Sequence, residues 1–169
     1  MDLSTFYAVV AGTCFTLVGL WWNVVERRPD WLADPHLRRL VGGVYVSFLL
    51  PALMSLFAQI DPSEPLIWRI TFVIASAVGA WSTLSLIRVD RKVTSPGIIR
   101  RHRWLVALVY GLIAVLGVVP ELAGNFGLTP PQAAAFLLVL LVVLAHALTW
   151  EFMTQTREAV TGASPTVAD

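Results

Sequence analysis

Apolar runs without a single charge dominate the pattern of this chain. Uncharged stretches cover Leu3–Val25, Leu40–Ile60, Ile70–Ile87, Trp104–Pro120 and Leu122–Trp150. A helix needs about 20 residues to cross the hydrocarbon layer of a bilayer, so the first four runs match one crossing each. The last is too long for one crossing, but Gly124, Gly127, Pro130 and Pro131 interrupt it. The pattern therefore predicts an all-α, polytopic membrane protein with five transmembrane helices, near residues 4–25, 40–60, 66–87, 104–121 and 132–153. They form one membrane domain over 1–155. Residues 156–169, rich in Thr, Ala, Ser and Pro, read as a disordered tail.

The connections set the arrangement. "DPSEP" (61–65) is short enough to force helices 2 and 3 into an antiparallel hairpin. Helices 4 and 5 form a second hairpin behind one leading helix. "LVGGVY" (40–45) and "LVALVY" (105–110) match at four of six positions, and the same offset of 65 residues carries Pro65 onto Pro130. The hairpins thus read as candidate products of duplication. Pro51 is expected to kink helix 2 and to free a carbonyl near Ser47 and Ser55. In loop 1, "DWLAD" between Pro29 and Pro35 suggests a helical turn on the membrane surface, with Trp31 and Leu32 dipping into lipid.

Composition supports the membrane reading: 57% of residues are hydrophobic and 14% are charged, where a soluble domain carries about 25% charged residues. The first segment carries Asp2 and no basic residue before its apolar run, and lacks a small-x-small cleavage pattern, so it reads as a retained helix. Cys14 is the only cysteine, which excludes an intrachain disulfide.

Charge placement gives an orientation. Ten of the twelve Lys and Arg residues lie in two connections: Arg27, Arg28, Arg38 and Arg39 after helix 1, and Arg88, Arg91, Lys92, Arg100, Arg101 and Arg103 after helix 3. The connections at 61–65 and 120–132 contain none. Short basic loops stay on the cytoplasmic side, so the N-terminus is expected outside and the C-terminus inside. The second basic cluster is a topology anchor facing anionic headgroups, at about 1 kcal/mol per residue near the surface. It lacks the interleaved aromatics of a nucleic-acid site, and no nucleic-acid partner is expected. Trp21, Trp22, Trp104 and Trp150 fall at inner ends and Trp68 at an outer end, as in an interfacial belt, whereas Trp81 is expected to pack inside. Eleven Arg to one Lys, with abundant Ala and Val, suggests a bacterial inner membrane.

Candidate chemistry is sparse. His36, His102 and His146 lie in separate segments with no carboxylate or Cys at ligand spacing. There is no HExxH, GxSxG or phosphate-binding glycine loop, so an enzyme, a cofactor and a metal site are not expected. Polar stripes are more informative. Thr13, Thr16, Leu20, Asn23 and Arg27 fall within about an 80° arc of helix 1, bordered by Gly12, Gly19 and Glu26. Arg69, Ser76, Ala80 and Thr83 share a face of helix 3. Arg69 is expected to pair with Asp61, Glu64 or Glu121, or to attract anions at an outer vestibule. His146, close in sequence to Glu151, is a further polar candidate in helix 5.

Five helices packed 8–10 Å apart leave a centre filled by side chains. The stripes therefore suggest a homo-oligomeric channel for inorganic ions, its pore between subunits. The alternative is a non-conducting accessory or scaffold subunit whose stripes bind other helices and whose basic loops bind anionic lipid. A small secondary transporter ranks third, because Pro51 has no helix-breaking counterpart at Leu116.

Overall fold

The computed structural model describes residues 2–60, 65–90 and 98–162, with side chains described over 2–60, 66–85 and 104–154. The described chain is all-helical. Helix α1 spans Leu3–Glu26, α2 Pro29–Ala33, α3 Pro35–Phe57, α4 Pro65–Asp90, α5 Ile98–Val118 and α6 Pro130–Gly162, and a 3-10 helix covers Pro120–Phe126.

Capping explains the boundaries. Asp2 opens α1, its Oδ1 accepting from the Thr5 amide at 2.6 Å. Asp34 opens α3, its Oδ1 accepting from the amides of His36 (2.7 Å) and Leu37 (3.3 Å), with Pro35 at the first helical position where its missing N–H costs nothing. This cap starts α3 five residues before the expected Leu40, so Arg38 and Arg39 belong to its first turns. Helix α5 begins at Ile98 rather than Trp104, and α6 runs on to Gly162. The expected Pro120 boundary is where the chain turns: α5 and the 3-10 helix meet at 105°. Gly127 then leaves the 3-10 helix at φ 67°, a left-handed conformation glycine adopts without a Cβ penalty.

Four helical segments are long and apolar enough to cross a membrane: Leu3–Glu26, Pro35–Phe57, Leu66–Ser85 and Pro130–Thr154. The bent pair Trp104–Val118 and Pro120–Phe126 makes a fifth if it is counted as one span. The helices run alternately up and down. One end of the bundle carries Asp2, Ala58, Pro65, Val118 and Pro130, and the other carries Glu26, α2, Pro35, Asp90 and Ile98. Side-chain bonds between helices fix this register. Near the first end the Tyr7 hydroxyl donates to the Pro131 carbonyl at 2.8 Å, and near the second the Trp21 indole N–H donates to the Val41 carbonyl at 3.2 Å.

Helix α3 is central, packed against α1, α4 and α6, while α4 and α5 form the most intimate pair. One core joins Met54, Phe72, Tyr110, Ile113 and Leu138, and a second joins Trp21, Val25, Trp31, Phe48 and Phe152. Large apolar side chains also cover the outside, among them Val9, Leu20, Ile74, Val78, Val143 and Phe136. Apolar packing within and apolar surface without are what a bilayer solvent selects. Pro51 lies buried inside α3. Its neighbour Ser47 donates to the Val44 carbonyl at 2.7 Å.

Three aromatic expectations are corrected. Trp31 does not dip into lipid: it is 2% exposed, stacked on Trp21 at 6.1 Å and met edge-on by Phe152 at 4.9 Å. Trp21 is likewise internal rather than part of a belt, because its face of α1 is the packing face. Trp81, expected inside, is 68% exposed, because α4 turns its Phe72 and Ser76 face to the bundle instead. Trp22, Trp104 and Trp150 are exposed, Trp22 near the end of α1, Trp104 six residues into α5 and Trp150 twelve residues before the end of α6. Tyr45 and Tyr110, equivalent in the sequence echo, differ in burial, Tyr110 being fully enclosed and Tyr45 half-buried.

Candidate functional site: the outward face of helix α1

Helix α1 has two opposed faces. Tyr7, Ala11, Cys14, Trp21 and Val25 are its buried residues, spaced by two fours, one three and one seven. That spacing is the a/d rhythm of a helix pressed on a neighbour along a narrow seam, here chiefly α3. At 100° per residue the opposite face holds Val9, Thr13, Thr16, Leu20, Asn23 and Arg27, all exposed, and the flanking Gly12, Gly19 and Glu26 are exposed too. A Cβ built on Gly12 or Gly19 would meet nothing within 4 Å. The small and polar stripe therefore lies on the outside of the bundle, directly away from the seam.

Its polar atoms are only partly satisfied. Thr16 donates its hydroxyl to the Gly12 carbonyl at 2.8 Å. Among the described residues neither Thr13 nor Asn23 makes a side-chain hydrogen bond. Asn23 lies one turn from the end of α1, and Glu26 and Arg27 follow it at the boundary. Small residues on such a face let a second backbone approach closely, and Thr or Asn can bond across it.

The second stripe lies on the opposite side of the question. Arg69, Ser76 and Thr83 turn toward the bundle rather than out of it. Arg69 donates from Nε to the Gly117 carbonyl (2.9 Å) and from Nη2 to the Val118 carbonyl (3.0 Å). These are among the last carbonyls of α5, which have no partner within the helix and form the negative end of its dipole. Arg69 is thus a cap on a neighbouring helix. Glu121, one expected partner, is exposed, and Asp61 and Glu64 lie outside the described residues. Arg28 forms an ion pair with Asp30. Ser76 is fully buried, and its Oγ has no hydrogen-bond partner among the described residues. Thr83 donates to the Gly79 carbonyl at 2.8 Å and lines a partly open cavity of about 60 Å³ with Ser47, Ser82 and Tyr110.

His146 donates from Nδ1 to the Val142 carbonyl at 2.8 Å, a bond that requires the proton on that nitrogen, and sits edge-on to Phe48 at 5.2 Å. Glu151, five residues on, is about 140° around α6 and buried, so the two do not share a face. At the basic end Arg27, Arg38 and Arg39 are exposed. Arg88 belongs to α4, and Arg100, Arg101 and Arg103 to α5. Arg91 and Lys92 lie outside the described residues.

Sequence reasoning missed the glycines that bring α4 and α5 together. A Cβ on Gly79 would come within 2.5 Å of the Tyr110 ring, and one on Gly117 within 2.7 Å of the Val73 side chain. It also missed an aromatic cavity at the Asp2 end, framed by Tyr7, Trp68 and Phe72. The spacing of Tyr7, Ala11 and Cys14 would have identified the α1 seam, whereas nothing in the sequence pairs Tyr7 with Phe72. Comparison with protein-family models, with curated proteins and with solved structures gives no match.

Proposed function

We propose that this protein is the subunit of a homo-oligomeric ion channel of the bacterial inner membrane, with α1 turned toward the symmetry axis and the basic end in the cytoplasm. The observation that carries the reading is the position of the α1 stripe, outward and opposite the packing seam. Facing lipid, Thr13 and Asn23 would leave polar groups without partners, which hydrocarbon penalises. Facing other copies around an axis, they would line a path that Glu26 and Arg27 close with a ring of charge at one mouth. A path within one copy is not supported, because Met54, Phe72, Ile113 and Leu138 fill the centre. The inward α4 stripe leaves α1 as the lining helix. The concentration of Arg and Lys at one end supports the orientation.

A second reading rests on Gly12, Thr16 and Gly19. Their open surface also suits close pairing with a helix of another membrane protein, as in a non-conducting accessory subunit. One reconstitution separates the two. Purified protein in planar bilayers is expected to conduct inorganic ions, and Thr16→Leu with Asn23→Leu to abolish conductance while the subunit still folds. A folded ring without conductance would favour the accessory reading, and a monomeric mass in mild detergent without conductance would contradict the channel.

A further inference from the structure

The partly open cavity of about 60 Å³ lies in the basic-end half of the bundle, between early turns of α3 and α5 and later turns of α4 and α6. Four hydroxyl side chains line it: Ser47 from α3, Ser82 and Thr83 from α4, and Tyr110 from α5. Tyr110 enters by the end of its ring. A Cβ on Gly79 would lie 2.5 Å from Cζ, the atom that carries the hydroxyl, so that hydroxyl sits beside the Gly79 backbone. The Gly79 carbonyl in turn accepts from the Thr83 hydroxyl at 2.8 Å. We propose that this cavity is a hydration site, where a small cluster of water molecules joins the hydroxyls of α3, α4 and α5.

The hydrogen-bonding capacity of the lining calls for such a guest. Among the described residues neither Tyr110 nor Ser82 makes a side-chain hydrogen bond. Tyr110 is 2% exposed, and an enclosed hydroxyl left without a partner is destabilising. Ser47 and Thr83 have given their protons to the Val44 and Gly79 carbonyls, so each has only lone pairs left to offer. The Ser47 carbonyl is a further acceptor, because the residue four positions on is Pro51, which has no amide proton. Two donors and a surplus of acceptors, spread over three helices, thus surround one small space. Water, which donates and accepts at once, matches both.

Size and charge argue against other guests. A water molecule needs about 10–15 Å³ of such space, which leaves room for about four, whereas a benzene-sized guest takes a cavity of about 150 Å³. No charged side chain lines the cavity, so a bare ion would be buried there without a counter-charge. The remaining walls, Val44, Val106 and Leu148 among them, are apolar and confine the waters to the hydroxyls. The site belongs to a single copy of the chain, so it stands whether or not copies assemble around an axis.

The test uses the full chain in nanodiscs and a short X-ray pulse, which turns each water into radicals that oxidise the side chains it touches. Mass spectrometry then locates the oxidised residues. Corrected for intrinsic reactivity, Val106 and Tyr110 are expected to be labelled at least about tenfold faster than Ile113 and Leu138, which are similarly buried but do not line the cavity. Ser82→Leu, which fills the space, is expected to slow labelling of Tyr110 at least about fivefold. Tyr110→Phe keeps the ring but removes one anchor, and is expected to slow labelling of Val106 by less. Labelling of Val106 and Tyr110 no faster than that of Ile113 and Leu138 overturns the proposal, whatever the variants do. So does fast labelling of Tyr110 that a folded Ser82→Leu chain leaves unchanged.

Discussion

The Tyr110 ring lies on the backbone of Gly79: a Cβ at Gly79 would sit 2.5 Å from two atoms of that ring. Tyr110 is enclosed, so a side chain at residue 79 would have to displace its ring for α4 and α5 to approach as they do. Gly79→Ala is expected to destabilise the fold by about 1–3 kcal/mol, as overpacking of a filled core does. Thermal unfolding in detergent measures it. In a Tyr110→Leu background the same change is expected to cost far less, because the clashing ring is gone.

The fork of Arg69 across the end of α5 gives a second prediction. Arg69→Gln removes the cation from two carbonyls at the end of α5, and is expected to lower stability by about 1–3 kcal/mol, the range for bonds to a charged group when one is partly exposed. Arg69→Lys keeps the charge but not the fork, and is expected to recover only part of that loss. Hydrogen exchange at the last turn of α5 should rise in both variants.

Trp21 tests the aromatic cluster at the basic end. Trp21→Phe keeps ring packing against Trp31 and Phe152 but removes the donor to Val41, for an expected cost near 1 kcal/mol. Trp21→Ala opens a cavity and is expected to cost about 3–5 kcal/mol. Similar values for the two variants in chemical denaturation would place Trp21 at a lipid interface instead.

Acid should loosen the α2 turn. The Arg28 guanidinium, hydrogen-bonded to Asp30 at 3.2 and 3.3 Å, holds that exposed carboxyl below the usual carboxylate range, and the same guanidinium covers Trp31 at 4.9 Å. The folded pKa lies below the unfolded one, so the contribution is present at neutral pH and is lost as pH falls through the folded value. An NMR titration of Asp30 is expected to show a depressed midpoint that rises in Arg28→Gln, with Trp31 fluorescence changing over the same interval.

Much of the bundle was legible because hydrocarbon selects long apolar helices, and charge-free runs mark them. The starts of α3 and α5 were not, because counting such runs begins only after the last charge. Helix α3 begins where Asp34 caps it and Pro35 fits, and Arg38 and Arg39 do not stop it. Depth was easier to read than direction. Trp21 and Trp22 share a depth, yet 100° of rotation puts one in the core and the other outside. Polarity alone likewise gave Thr16 and Ser76 the same standing, although one faces out and the other is enclosed. The partner of Arg69 left no trace in the sequence because it is backbone.

Cysteine cross-linking in native membranes tests the central claim most directly. In a Cys14→Ala background, which removes the buried native thiol, Thr16→Cys is expected to form covalent dimers under mild oxidation. Val78→Cys and Val143→Cys, on exposed faces of α4 and α6, are expected to remain monomeric. If Thr16→Cys stays monomeric while Val78→Cys or Val143→Cys cross-links, α1 does not face a second copy and the channel assignment falls.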